Sequence, residues 1–132
     1  MSFGILARQV LSLDAAIEWM VLEEAGREPR WAWRDPRDGN LRMRFTRDYA
    51  QVVDPLLFMV ADGGGNPRNG EAIGDAHRVR FVVLAYADMA QVVARLPNGH
   101  ITAAISPETD AYAVGRKLAG LLDRCMQRPV LH

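Results

Sequence analysis

Apolar residues near the start of the chain recur at three- and four-residue steps: Phe3, Leu6, Val10 and Leu13 form one stripe, with Arg8, Gln9 and Ser12 on the other side. That spacing predicts a short helix over Phe3 to Leu13. Beyond Asp14 the pattern is ambiguous. Ile17, Met20 and Val21 could continue a helical stripe, and Ala15, Ala16, Glu18 and Glu23 favour one by propensity. Trp19 to Leu22, however, is an unbroken apolar run of the kind a buried strand shows. Arg30-Trp31-Ala32-Trp33-Arg34 then alternates at the strand period of two, after a plausible turn at Ala25-Gly26-Arg27. Asp35 to Asn40 is dense in turn-forming residues and predicts a loop. Leu41, Met43 and Phe45 alternate with Arg42 and Arg44, which suits a short extra edge strand.

From Asp48 to Asp62 the apolar residues cover more than half the circumference of a helix. Pro55 either bends this helix or sits in its first turn behind an Asp54 cap. Gly63 to Gly70 has the composition of a phosphate-binding loop without its spacing, Lys or Ser/Thr, so a linker is the expected reading. The last third is the plainest. Val79 to Ala87, Ala90 to Leu96 and Ile101 to Ser106 read as three strands in a meander, the second and third joined by a tight Pro97-Asn98-Gly99 hairpin. Asp110 to Cys125 keeps helical spacing through Ala111, Val114, Leu118, Leu121, Leu122 and Cys125, with Thr109 or Asp110 as cap. Gly115 and Gly120 weaken that helix, and close packing on the sheet is the expected reason they fit.

Composition narrows the classes. The chain has 132 residues, 49% of them hydrophobic, and 16 basic residues against 16 acidic ones. It therefore reads as one folded domain over residues 1–126 with a tail at 127–132, and bulk charge recruits no nucleic acid. One cysteine and three histidines supply neither an internal disulfide nor a zinc site of known spacing, and no cofactor is expected. No stretch reaches the roughly 18 apolar residues of a membrane span, and Met1-Ser2-Phe3-Gly4 is not a signal sequence, so the expected location is the cytoplasm.

The order of elements resembles the roadblock and dynein light chain family from Phe3 to Cys125. Ala16 to Gly26, an apolar run closing on an acidic, glycine-bearing turn, is similar to that family's first strand, with Trp31-Ala32-Trp33 in place of its second. Val79 to Ile105 and the last helix resemble its meander and final helix. The resemblance implies that Ile17 to Glu24 is a strand. The fold class is then α+β, a five-stranded antiparallel sheet covered by helices, profilin-like or roadblock-like, in the order helix, two strands, helix, three strands, helix. The longer Gly63 to Gly70 run, Pro55 and the extra Leu41 to Phe45 segment depart from the family pattern.

The resemblance further implies a non-enzymatic homodimer with adjoining central helices and joined sheets, serving a small Ras-like GTPase or a related signalling or motor complex. The residues point independently to association. One sheet buries one stripe of each helix, so the surplus at Val52, Val53, Leu56, Leu57 and Val60 requires a partner surface or the linker and sheet of its own chain. Phe81 is placed in the same dimer interface.

Catalysis has no convincing constellation here. Glu23 and Glu24 point to opposite faces of a strand. His77 and His100 fall at a strand start and a hairpin turn, where exposed or backbone-bonded imidazoles are common. Cys125 reads as a small buried hydrophobe. Fifteen of the 16 basic residues are Arg, with Lys117 the exception, which reflects coding bias or an arginine-built recognition surface. Arg30, Arg34, Arg42 and Arg44 form a candidate strip for an acidic protein. Two alternatives remain: a small-molecule sensor with Trp31 and Trp33 lining a pocket, and a nucleic-acid module using Arg27 to Arg47. The second needs exposed aromatics, whereas Trp31 and Trp33 are expected under a helix.

Overall fold

The computed structural model describes residues 2–35 and 79–126. The expected extra strand, central helix and glycine-rich linker, and the tail, lie outside these residues. Within them the order is α1 (Phe3–Leu11), β1 (Ile17–Glu24), β2 (Arg30–Trp33), β3 (Phe81–Ala85), β4 (Ala90–Leu96), β5 (Gly99–Ile105) and α2 (Ala111–Met126). The strands form one five-stranded sheet in the order β2-β1-β5-β4-β3, with every neighbouring pair antiparallel.

Local chemistry sets the ends of the helices. Ser2 Oγ accepts the Ile5 N–H at 3.3 Å, satisfying a donor at the start of α1. The Ser12 N–H reaches back to the Arg8 carbonyl at 3.0 Å and closes the helix. At α2 the cap is Asp110, whose Oδ1 accepts the Ala113 N–H at 3.1 Å. Thr109 is occupied elsewhere, its hydroxyl 2.8 Å from that of Ser106.

Both helices lie on one face of the sheet. Val10 of α1 and Val114, Leu118 and Leu122 of α2 pack with Ile17, Met20 and Leu22 of β1 and with alternate residues of β4 and β5. The period of two sends Trp19, Val21, Ala104 and Val93 to the opposite face, where Trp31 and Trp33 join Trp19. Val21, Val93, Gln91 and Thr102 on this second face are fully buried. No described element lies over it. Trp31 and Trp33 are half-buried and face away from α1 and α2, so neither described helix covers them as expected.

Two glycines mark places where backbone or ring must come close. A Cβ on Gly99 would stand 1.9 Å from the Glu23 carbonyl oxygen, so β5 can approach β1 there only with glycine. A Cβ on Gly115 would meet the Phe81 ring at 2.3 Å, which makes Gly115 the seat on which β3 rests against α2. Gly120 does not share that role, because only the Arg124 guanidinium lies near its missing Cβ, at 3.6 Å.

Candidate functional site

The two edges of the sheet differ in chemistry. β2 spans only Arg30–Trp33 and carries a charge, with Pro29 just before it and Arg34 just after. Short length, charge and proline are the usual guards of an exposed edge. β3 reads Phe-Val-Val-Leu-Ala, one residue longer, with no charge or proline inside it and Arg80 just before it.

Hydrogen bonds on either side of the β3–β4 ladder fix which way each β3 residue points. The Tyr86 N–H donates to Met89 O at 2.8 Å and the Arg95 N–H to Arg80 O at 3.1 Å. In an antiparallel pair the bonded positions alternate, and the register runs Val82↔Val93 and Leu84↔Gln91 between those two bonds. Even-numbered residues therefore bond to β4. Phe81, Val83 and Ala85 turn their N–H and C=O groups outward, and no described residue meets them. Val83 is 40% exposed, large and apolar.

Side chains brace this edge from the helix side. The Phe81 ring lies 5.5 Å from that of Tyr112, centroid to centroid, at 56°. Arg116 stands over the other ring, 5.9 Å from the Tyr112 centroid, and Tyr112 is itself 63% exposed. Arg80 ties the start of β3 to α2 through the Asp123 carboxylate and the Ala119 carbonyl. The partly buried Phe81 ring is thus engaged within its own chain, while its outward backbone groups address the edge.

The arginine strip is partly occupied by intrachain contacts. Arg30 pairs with the Glu24 carboxylate at 2.6 Å and lies 5.1 Å from the centre of the Phe3 ring. Arg34 donates to three backbone carbonyls: Ile17 at 2.6 Å, Asp14 at 2.8 Å, and Leu11. Those carbonyls line the turn from α1 into β1, so Arg34 clasps that turn. Lys117 holds the same turn from α2, its Nζ 3.6 Å from Asp14 Oδ2. The Asp14 carboxyl lies below its ordinary value mainly because it accepts the Ala16 N–H, with the Lys117 and Arg34 charges adding to the effect against partial burial. Arg42 and Arg44 lie outside the described residues, as do Val52, Val53, Leu56, Leu57, Val60 and His77.

His100 is placed differently from expectation. β5 begins at Gly99, so His100 is a strand residue, 4% exposed, with Glu23 opposite on β1 and Arg95 opposite on β4. Its Nε2 stands 3.5 Å from Glu23 Oε2. Glu24 points the other way, toward Arg30, as the strand period requires. Cys125 is buried in the helix-side core. Among the described residues no group of three or more His, Cys, Asp or Glu could hold a metal ion, and no helix is long and apolar enough to cross a membrane.

Sequence reasoning missed Val83, Tyr112 and the Arg34 clasp. The uncharged run at β3 could have pointed to the first. The clasp joins residues 20 and 23 positions apart, and no local pattern reports such a contact.

Comparison with known proteins gives the class of fold. No family model and no curated protein matches the sequence. Among solved structures, a Roadblock/LC7 domain from Streptomyces avermitilis is similar over 97% of this chain and 100% of its own, with a TM-score of 0.57 and 12% sequence identity. The chain has the Roadblock/LC7 fold.

Proposed function

We propose that this protein is a non-catalytic homodimeric adaptor of the cytoplasm, which binds a small Ras-like GTPase or a related signalling or motor complex and modulates it by holding one conformation. The observation that carries the reading is the β3 edge, five uncharged residues in a row that no described residue covers, on a Roadblock/LC7 fold. An apolar strand edge left open invites aggregation, and natural proteins cover such an edge or pair it. A second copy of the same edge does so without a further protein. Val52, Val53, Leu56, Leu57 and Val60 supply the rest of the contact in this reading, because a standard interface buries about 800 Å² per partner and a strand edge alone falls short of that.

The partner meets a different surface. Arg30 and Arg34 are held by their own chain, so recognition of an acidic protein falls first on Arg42 and Arg44. Sedimentation tests the dimer, with two copies per particle expected. Capture from the native cytosol, with bound proteins assayed for nucleotide hydrolysis, tests the partner. A monomer at all concentrations overturns the adaptor as described, and a dimer that captures no GTPase or signalling protein overturns its assignment.

A further inference from the structure

We propose that the outer face of α2 docks an acidic helix of a partner protein, with Arg116 and Arg124 taking two of its carboxylates and Gly120 leaving a notch between them. This inference deepens the adaptor reading by naming a contact for its acidic partner, and it does not depend on the dimer. Gly120 supplies the first argument. Glycine inside a helix is a loss against alanine, and at Gly115 the Phe81 ring explains it. Gly120 has no such neighbour. Only the Arg124 guanidinium comes near, 3.6 Å from where a Cβ would stand, which is ordinary contact. The fold therefore has room for a side chain at 120, and no described contact within the chain requires its absence. Val114, Leu118 and Leu122 turn to the sheet, so Arg116, Gly120 and Arg124, at four-residue steps, run along the opposite side of α2 as one row.

Charge supplies the second argument. Both arginines are exposed, and neither pairs with a carboxylate among the described residues. The neighbouring cations are engaged: Lys117 lies 3.6 Å from Asp14, and Arg80 pairs with Asp123. The Arg116 guanidinium is steadied over the Tyr112 ring, and Tyr112, 63% exposed, stands one turn away as an aromatic anchor. Tyrosine and arginine are the residue types in which interface energy concentrates. Arg116 and Arg124 are separated by about 12 Å of helix rise, and carboxylates at the same spacing on a facing helix match them. The missing side chain at 120 opens the ridge between them, so that a ridge of the second helix can enter. A polyanion fits less well, because Glu108 and Asp110 stand just before the start of the same helix.

The probe is a helical alanine- and glutamine-based peptide with two Glu at the spacing of Arg116 and Arg124, and its control carries Gln at both places. Titrated into the isotope-labelled full chain and followed by amide NMR, the Glu peptide is expected to give saturable shifts centred on Tyr112 to Arg124. They should be absent with the control and fade with salt. Arg116→Gln and Arg124→Gln are each expected to weaken binding about fivefold, the upper range for an exposed ion pair. Gly120→Leu meets no clash and improves helix propensity, so the chain should melt higher and yet lose the peptide. A glycine with a purely internal role gives the reverse. Shifts that are absent or centred elsewhere, or binding that Gly120→Leu and the arginine variants leave unchanged, overturn the proposal. A single-stranded oligonucleotide that binds this row more tightly than the Glu peptide overturns the acidic helix as partner. Sedimentation of the same samples separates the two readings: a monomer that binds the peptide keeps this surface and ends the homodimer, and a dimer that ignores the peptide does the opposite.

Discussion

Arg34 shows how much one exposed side chain can organise. Its planar guanidinium reaches three carbonyls of one turn, a geometry that the single ammonium of lysine cannot copy. Hydrogen bonds to a charged group contribute about 1.5–3 kcal/mol, but these lie near water, so Arg34→Ala is expected to cost only about 1 kcal/mol. Urea unfolding checks this, and Arg34→Lys should recover little of the loss. Asp14, in the same turn, adds a dependence on pH. Its carboxyl is held below the ordinary value of 3.8, so its contribution is present in full above that value and fades as pH falls through the lowered one. Asp14→Asn should therefore unfold more easily than the parent at neutral pH, with the gap narrowing in acid. A gap that stays constant down to pH ~2 would place the ionised carboxylate outside the stabilisation.

At the scale of elements, the contact between β3 and α2 depends on a missing methyl group. Alanine is worth about 1 kcal/mol more than glycine inside a helix, yet a Cβ on Gly115 would stand 2.3 Å from the Phe81 ring. Overpacking of this kind costs about 1–3 kcal/mol, so Gly115→Ala is expected to destabilise the fold. Phe81→Leu in the same chain should return part of the loss, and a double-mutant cycle measures that coupling. A Gly115→Ala variant more stable than the parent would show that the ring yields. Glycines at such seats are visible in a sequence, but the residue they accommodate is not: Gly120 looks the same on paper and faces only Arg124. The strands were unequally legible for a related reason. β4 and the Asn98-Gly99 hairpin follow from local pattern, whereas β1 is buried continuously from Trp19 to Leu22, and burial on both faces erases the alternation that marks a strand. Only resemblance decided β1. His100 was misplaced because Gly99, read as turn, is the first residue of β5, where its missing Cβ lets the chain lie against Glu23.

For the whole molecule the issue is how a sheet with one guarded edge, and another that no described residue covers, becomes a finished particle. In the proposed dimer five residues of β3 backbone pairing with small apolar side chains leave most of a standard interface of about 1,600 Å² to be found elsewhere. The apolar surplus from Val52 to Val60 is the part of the sequence able to supply it. Removing either contribution should therefore separate the copies without unfolding them. Leu56→Arg is expected to yield a soluble monomer whose unfolding midpoint stays close to that of the parent once the parent is diluted to the monomer. If that variant sediments as the parent does, Leu56 is not in the interface, and its apolar surroundings are buried within one chain. If it precipitates or melts early, Leu56 belongs to a core and the same conclusion holds. Only a folded monomer supports the proposed dimer in which the middle of the chain and the β3 edge form one surface between two copies.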